Sequence, residues 1–362
     1  MKFTSAASAL VALSLVLTGC AVVDEVDEVE EVVETAEQVV EPDVPRHPLT
    51  GFELGADTVS GPSIAVKIDN TAAGRPQVGI AAADVVFEEL VEGGVTRYLA
   101  IFHTAVPDEV GPVRSGRPQD ADLVPSFGGV FVFSGVGNSN VREIIRGSGL
   151  QLVEHDTSGG TPDGAYFFRS DRKPAPVNLH IEAANLLENY SDLAAPVQQF
   201  NFKTAPEEAS AVVDGVPAEK ISVVFSSGIQ SIWEWDAATG TYLKFLLNGS
   251  PDTDANGTQI SATNLLIFTP NYFDVEGLPS AQVGQTRETA IIATGGKLIT
   301  GVFDTTEFGA PIKLLYGEEQ PVFLTPGKTF ILLPPGAGSI AQGVTPGSMT
   351  YVSNGEEIST GF

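Results

Sequence analysis

The chain has 362 residues, a formal net charge of −27 and one cysteine. A chain of this length buries about 75% of its unfolded surface without cross-links, usually over two domains, and its single thiol excludes an internal disulfide. The acidity argues against nucleic acid as a partner, because phosphate binding needs a basic face.

Lys2 precedes a 12-residue apolar run at 6–17. That run is too short to span a bilayer, which takes about 20 residues, and it fits the hydrophobic part of a signal peptide. It ends in Leu17-Thr18-Gly19-Cys20, which resembles the lipobox of bacterial lipoproteins, where the thiol is lipidated and the chain is cut just before it. Residues 1–19 are therefore expected to be a signal peptide, with Cys20 the lipidation site. The expected location is extracytoplasmic, anchored to the cell membrane by lipid; two or more acyl chains give stable anchoring.

Residues 20–45 read as an acidic stalk. Positions 24–43 carry ten acids and no base, as solvated linkers do. Val22, Val26, Val29, Val33, Ala36 and Val40 are spaced 4-3-4-3-4, a heptad-like stripe. It covers fewer than three heptads, and nothing offsets its like charges, so a flexible or part-helical tether is the favoured reading over a coiled coil.

A first domain is expected over 46–195, with strands at 63–68, 84–92, 95–103 and 130–134 and helices at 140–146 and 182–190. Mixed strands and helices make it α/β or α+β. Residues 196–217, with Pro196, Pro206 and Pro217, form a connector. A second domain over 218–336 shows short strands separated by Gly-containing turns, the pattern of a mainly antiparallel β-domain. Residues 337–362 are a Gly/Ser/Thr-rich end with one candidate strand, 349–352.

Gly93-Gly94 reads as a two-residue hairpin loop. That register pairs Glu92 with Val95 and Leu90 with Arg97, placing Glu88, Leu90, Glu92 and Arg97 on one face. The cluster is either the mouth of a polar site or a cross-strand salt-bridge network. Next, Gly111-Pro112-Val113-Arg114-Ser115-Gly116-Arg117-Pro118 holds two guanidinium forks in a stiff loop, suited to phosphate or carboxylate. Its bland alternative is an internal clamp on Asp120, Asp122 or loop carbonyls.

The run 133–140 is a strand exit into a helix. It lacks the signatures of a Walker loop or dinucleotide fingerprint, and a turn capped by Ser139 or Asn140 explains it. Arg169, Arg172 and Lys173 form a local basic patch beside His180, and no histidine has a partner at metal-ligand spacing. Asp252, Asp254 and Asn256 match the first half of an EF-hand loop, but position twelve is Thr263, so a polar hairpin loop is expected. No Gly-x-Ser-x-Gly elbow supports hydrolase chemistry.

Several of these runs resemble the YerB-like lipoproteins, a bacterial family of unknown biochemical function. They are Pro48-Leu49-Thr50-Gly51, Ala65-Val66-Lys67-Ile68-Asp69-Asn70, Arg75-Pro76-Gln77, Ala83-Asp84-Val85-Val86-Phe87-Glu88, Val91-Glu92-Gly93-Gly94-Val95-Thr96-Arg97, Ala100-Ile101-Phe102 and the 111–118 loop. Residues 174–179 and 248–268 continue the likeness. The resemblance implies a lipid-anchored, two-domain envelope protein. Two histidines of the family pattern are absent, at Val177 and Pro251, which weighs against His-based catalysis. The order of acidic strand, arginine loop and Gly-containing strand exit is also similar to the LytR–CpsA–Psr envelope phosphotransferases, a likeness of arrangement alone.

Two readings follow. In the first, the protein is a membrane-anchored binding or scaffold lipoprotein for an envelope protein, glycan or anionic ligand. In the second, it acts on or binds a phosphorylated or pyrophosphate-containing envelope substrate. Arg114 and Arg117, with Arg97 and Arg75, would then grip the anion, while Asp69, Asp84, Glu88 and Glu92 would serve as acid/base groups or Mg²⁺ ligands.

Overall fold

The computed structural model describes residues 45–54, 60–155 and 165–362; Cys20, the signal peptide and the acidic stalk lie outside them. Three apolar runs start the core. Strands β1 (Ile64–Asp69), β2 (Val85–Leu90) and β3 (Thr96–Phe102) are buried on both faces almost throughout. This suits strands that read as near-continuous hydrophobic runs rather than alternating ones. β2 and β1 flank β3, both antiparallel to it. Val130–Phe133 continues the sheet parallel to β1, and Gln151–Glu154 follows it in parallel.

Mixed pairing with short helices, Ser139–Gly147 and Ala183–Glu188, gives the expected α/β or α+β character. On the other side, Thr329–Leu333 lies parallel to β2 and to Asn264–Phe268. From Asn264–Phe268 the sheet runs antiparallel through Arg287–Thr294, Lys297–Asp304 and Lys313–Tyr316. One 12-stranded sheet therefore passes through both sequence halves.

A second sheet of six strands is antiparallel throughout. It contains β4 (Lys220–Ser226), β5 (Ile229–Asp236) and β6 (Thr241–Phe245), and ends in Ser348–Ser353 and Glu356–Gly361. The C-terminal half is thus mainly antiparallel, as expected. The tail differs from its sequence reading: it holds two strands, not one. They join at Asn354-Gly355, both at positive φ, the conformation a tight primed turn requires. The second strand, with Glu356 and Glu357, looks polar because it is an exposed edge.

The Gly93-Gly94 loop also differs. Leu90 pairs with Thr96, not Arg97, and Glu89 pairs with Arg97. Residues 91–95 form the turn, closed by Val91 N–H donating to the Val95 carbonyl at 2.9 Å. A one-residue slip moves every side chain to the other face. Arg97 therefore shares its face with Glu89 and Asp69, and Glu88 points to the opposite side of the sheet.

Candidate functional site

The register splits the predicted polar residues into two groups on opposite faces of β1–β3. On the first face, the 111–118 loop is stitched along the end of β1. Asp69 N–H donates to the Pro112 carbonyl, Arg114 N–H to Lys67, and Gly116 N–H to Gly135. This fixes where each arginine points. The Arg114 Nε donates to Asp69 Oδ2 at 2.5 Å. Arg117 grips Glu92 through Nε at 2.9 Å and through its Nη2, and donates to the carbonyls of Ser115 and Gly116. Arg97 donates to the Ser115 carbonyl at 2.9 Å and to Glu92 at 3.3 Å.

The side chains of Arg117, Arg97 and Arg114 are 2%, 14% and 25% exposed. The clamp is internal, but its carboxylate is Glu92. From Arg117, Asp120 receives only the backbone N–H and not the guanidinium, and Asp122 carries no ion pair among the described residues.

The electrostatics follow from crowding. Burial and the adjacent Arg117 push Arg97 down to about 10. Burial raises the Asp69 carboxyl, yet Thr71 and Arg114 together hold it below the usual range. Glu92 is likewise held low, with Arg117 outweighing burial. Three guanidinium groups share two carboxylates, Asp69 and Glu92.

Beneath this lies a network the sequence reading missed. Lys67 Nζ, fully buried, donates to Glu89 Oε1 and Asp120 Oδ1, both at 2.7 Å. Gln119 donates to the other Glu89 oxygen at 2.7 Å and accepts from Ser280 at 3.1 Å. Burial drives Glu89 up to about 7 while Lys67 opposes it, and both its oxygens accept hydrogen bonds, which suits the carboxylate. The available signal was a lone lysine inside the apolar strand Ile64–Asp69, since buried charges must be paired.

On the second face, Glu88 accepts from Lys244 and Ser231 at 2.8 Å and from Asn70 and Thr96 at 3.0 Å. Burial raises its carboxyl, but Lys244 and Ser231 hold it low. Lys244 Nζ also sits 5.0 Å from the Trp233 ring and 5.4 Å from Tyr98, within cation–π range. Arg75 joins this group, its Nε donating to Asn70 at 2.9 Å. Lys244 was missed, although it follows Tyr242 on the buried face of an alternating strand.

Asp84 joins neither group. One of its oxygens accepts from the backbone N–H groups of His103 and Thr104 at 2.6 and 2.8 Å, and burial pushes its carboxyl up. The four predicted carboxylates are therefore scattered. Among the described residues, no three His, Cys, Asp or Glu side chains gather closely enough to hold a metal ion.

The remaining motifs are structural. Asn138, one residue earlier than expected, caps Ser139–Gly147 by accepting from the N–H groups of Asn140 and Val141. Asp254 accepts from Asn256 and Thr258 in a hairpin loop. Arg172 pairs with Glu109, and Lys173 donates to the carbonyls of Gly74 and Pro76.

Compared with known proteins, residues 49–196 match the N-terminal domain, and 221–331 the C-terminal domain, of a family described as "Protein of unknown function (DUF3048)". The chain is 35% identical over 133 residues to "Putative lipoprotein YerB" of Bacillus subtilis (strain 168). That stretch spans 37% of this chain and 39% of the relative. A crystal structure of the YerB protein from Bacillus subtilis has the same fold, with a TM-score of 0.68 at 21% identity, over 84% of this chain and 99% of that one.

Proposed function

We propose, for a chain that belongs to the DUF3048 family of proteins of unknown function, that it is an extracytoplasmic lipoprotein held at the cell membrane through Cys20, with a body that binds or scaffolds rather than catalyses. The observation that carries the second part is the pairing of the arginines. A catalytic anion site needs guanidinium groups aimed at substrate; here Arg117 is buried on Glu92 and Arg114 is held by Asp69. The Leu17–Cys20 run and the likeness to a named lipoprotein support the anchor. Among the described residues, no helix is long and apolar enough to cross a membrane.

The anchor is tested by fractionation and labelling. In bacteria making the full chain, the protein is expected in the membrane fraction and to take up labelled fatty acid, and Cys20→Ser is expected to take up none. Label incorporated by Cys20→Ser would defeat the anchor. One observation favours the second reading, in which the arginine face binds a phosphorylated envelope substrate: Arg97 is buried and crowded by Arg117 and Arg114, a crowding that an anion beside it would relieve.

A further inference from the structure

On the second face of the sheet, a cavity of about 270 Å³ opens between the Arg75 segment and the β5–β6 ribbon. It has room for about nine waters at roughly 30 Å³ each. Its polar lining includes Arg75, Lys244, Asp252, Gln230 and Asn248, and Gly228 lines it too. The groups come from both sequence halves.

Asp252 carries the argument. It is 2% exposed, yet its Oδ2 has no hydrogen-bond partner. Buried acceptors are nearly always satisfied, and an orphan costs about 1–3 kcal/mol. Arg75 donates through its Nε to Asn70, and its guanidinium lies near Tyr98, Asp252 and Glu88. Lys244, by contrast, is committed to Glu88 and Ser231. The cavity lining therefore brings together a guanidinium and a carboxylate that has one unpartnered oxygen.

We propose that this cavity binds a small oxyanion with a hydrogen-bond donor beside its charged group, the oxyanion on Arg75 and the donor on Asp252 Oδ2. The ligand is a hydroxy- or aminocarboxylate or a small phosphate ester. This rests on the reading of the body as a binding protein and names the class of molecule bound. It is independent of the anchor: failure here leaves the Cys20 labelling result untouched.

The chain's two tryptophans, Trp233 and Trp235, both lie on β5, and Trp233 donates to the same Ser231 hydroxyl as Lys244. Tryptophan emission of the full chain is therefore the readout. The probes are glycolate and sn-glycerol 3-phosphate, which separate carboxylate from phosphate, with acetate (no donor) and glycerol (no charge) as controls.

The expected result is a saturable change with glycolate or glycerol 3-phosphate, at least about tenfold weaker for acetate and absent for glycerol. Arg75→Gln should weaken it by at least about tenfold. Gly228→Phe, at a position where an added Cβ meets nothing within 4 Å, should block it while leaving the melting temperature unchanged. The proposal is overturned by no saturable change below about 10 mM of either probe. It is equally overturned by a change that survives Gly228→Phe, the variant that keeps the test sound should Arg75→Gln fold poorly.

Discussion

Lys67→Met is expected to cost about 3–5 kcal/mol of stability, the range for removing one partner of a buried ion pair. The substitution keeps the length of the side chain but leaves Glu89 and Asp120, both fully buried, without their shared cation. Urea denaturation checks it, and the loss should depend on pH. Glu89 already sits at about 7 in the folded chain, above its unfolded value, so the folded state holds that proton more tightly. A carboxyl raised in this way contributes most at acid pH and loses that contribution as pH rises through the folded value. Without Lys67 the value climbs further. The gap between wild type and variant should therefore be smaller near pH 5 than near pH 8. Lys67→Met/Glu89→Gln should recover part of the loss, because only one buried carboxylate then remains.

Lys244→Met is expected to cost a similar amount, about 3–5 kcal/mol, by a different route. Lys244 belongs to β6 and Glu88 to β2, so the pair ties the antiparallel sheet to the large one. Glu88 would keep Asn70, Thr96 and Ser231 as donors but no ammonium, and the Trp233, Tyr98 and Phe330 rings would lose the cation among them. A double-mutant cycle with Glu88→Gln measures the coupling directly. A value near zero would mean that the three neutral donors suffice and the pair contributes no net stability.

Much of the architecture was legible. Val130–Phe133 announced itself as an unbroken apolar run, β1 and β2 as apolar runs interrupted by charged residues, and Tyr242 with Lys244 lay on one alternating face. The joining of the halves was not legible. Thr329–Leu333 reads as one more short strand, and nothing local says that it inserts between β2 and Asn264–Phe268 in parallel, a long-range pairing.

The candidate site was legible in kind and misread in register. Arginines in a Pro/Gly loop beside acidic strands do meet carboxylates. The glycines at 93 and 94 suggested a two-residue loop, whereas a wider turn forms, and one residue of slip sent Glu88 to the far face. The carboxylate that Arg117 grips, Glu92, lies in that turn, so pairing by strand register could not have found it. Asp84, placed in the site by its position on the strand, serves instead as an acceptor for backbone N–H groups where the chain leaves β3.

The central claim is that the arginine face is internal architecture. It is tested most directly by melting the full chain with phosphorylated, pyrophosphate-containing and carboxylated envelope precursors, with and without Mg²⁺, beside Arg114→Ala/Arg117→Ala. A bound ligand at about 100 times its Kd adds about 2.7 kcal/mol, a shift of several degrees. The account predicts that the double variant melts early in the absence of any ligand, because Glu92 and Asp69 lose their partners, and that any ligand-induced shift persists in it. A shift present in the wild type and lost in a double variant that still folds would contradict the account and make the arginine face the binding site.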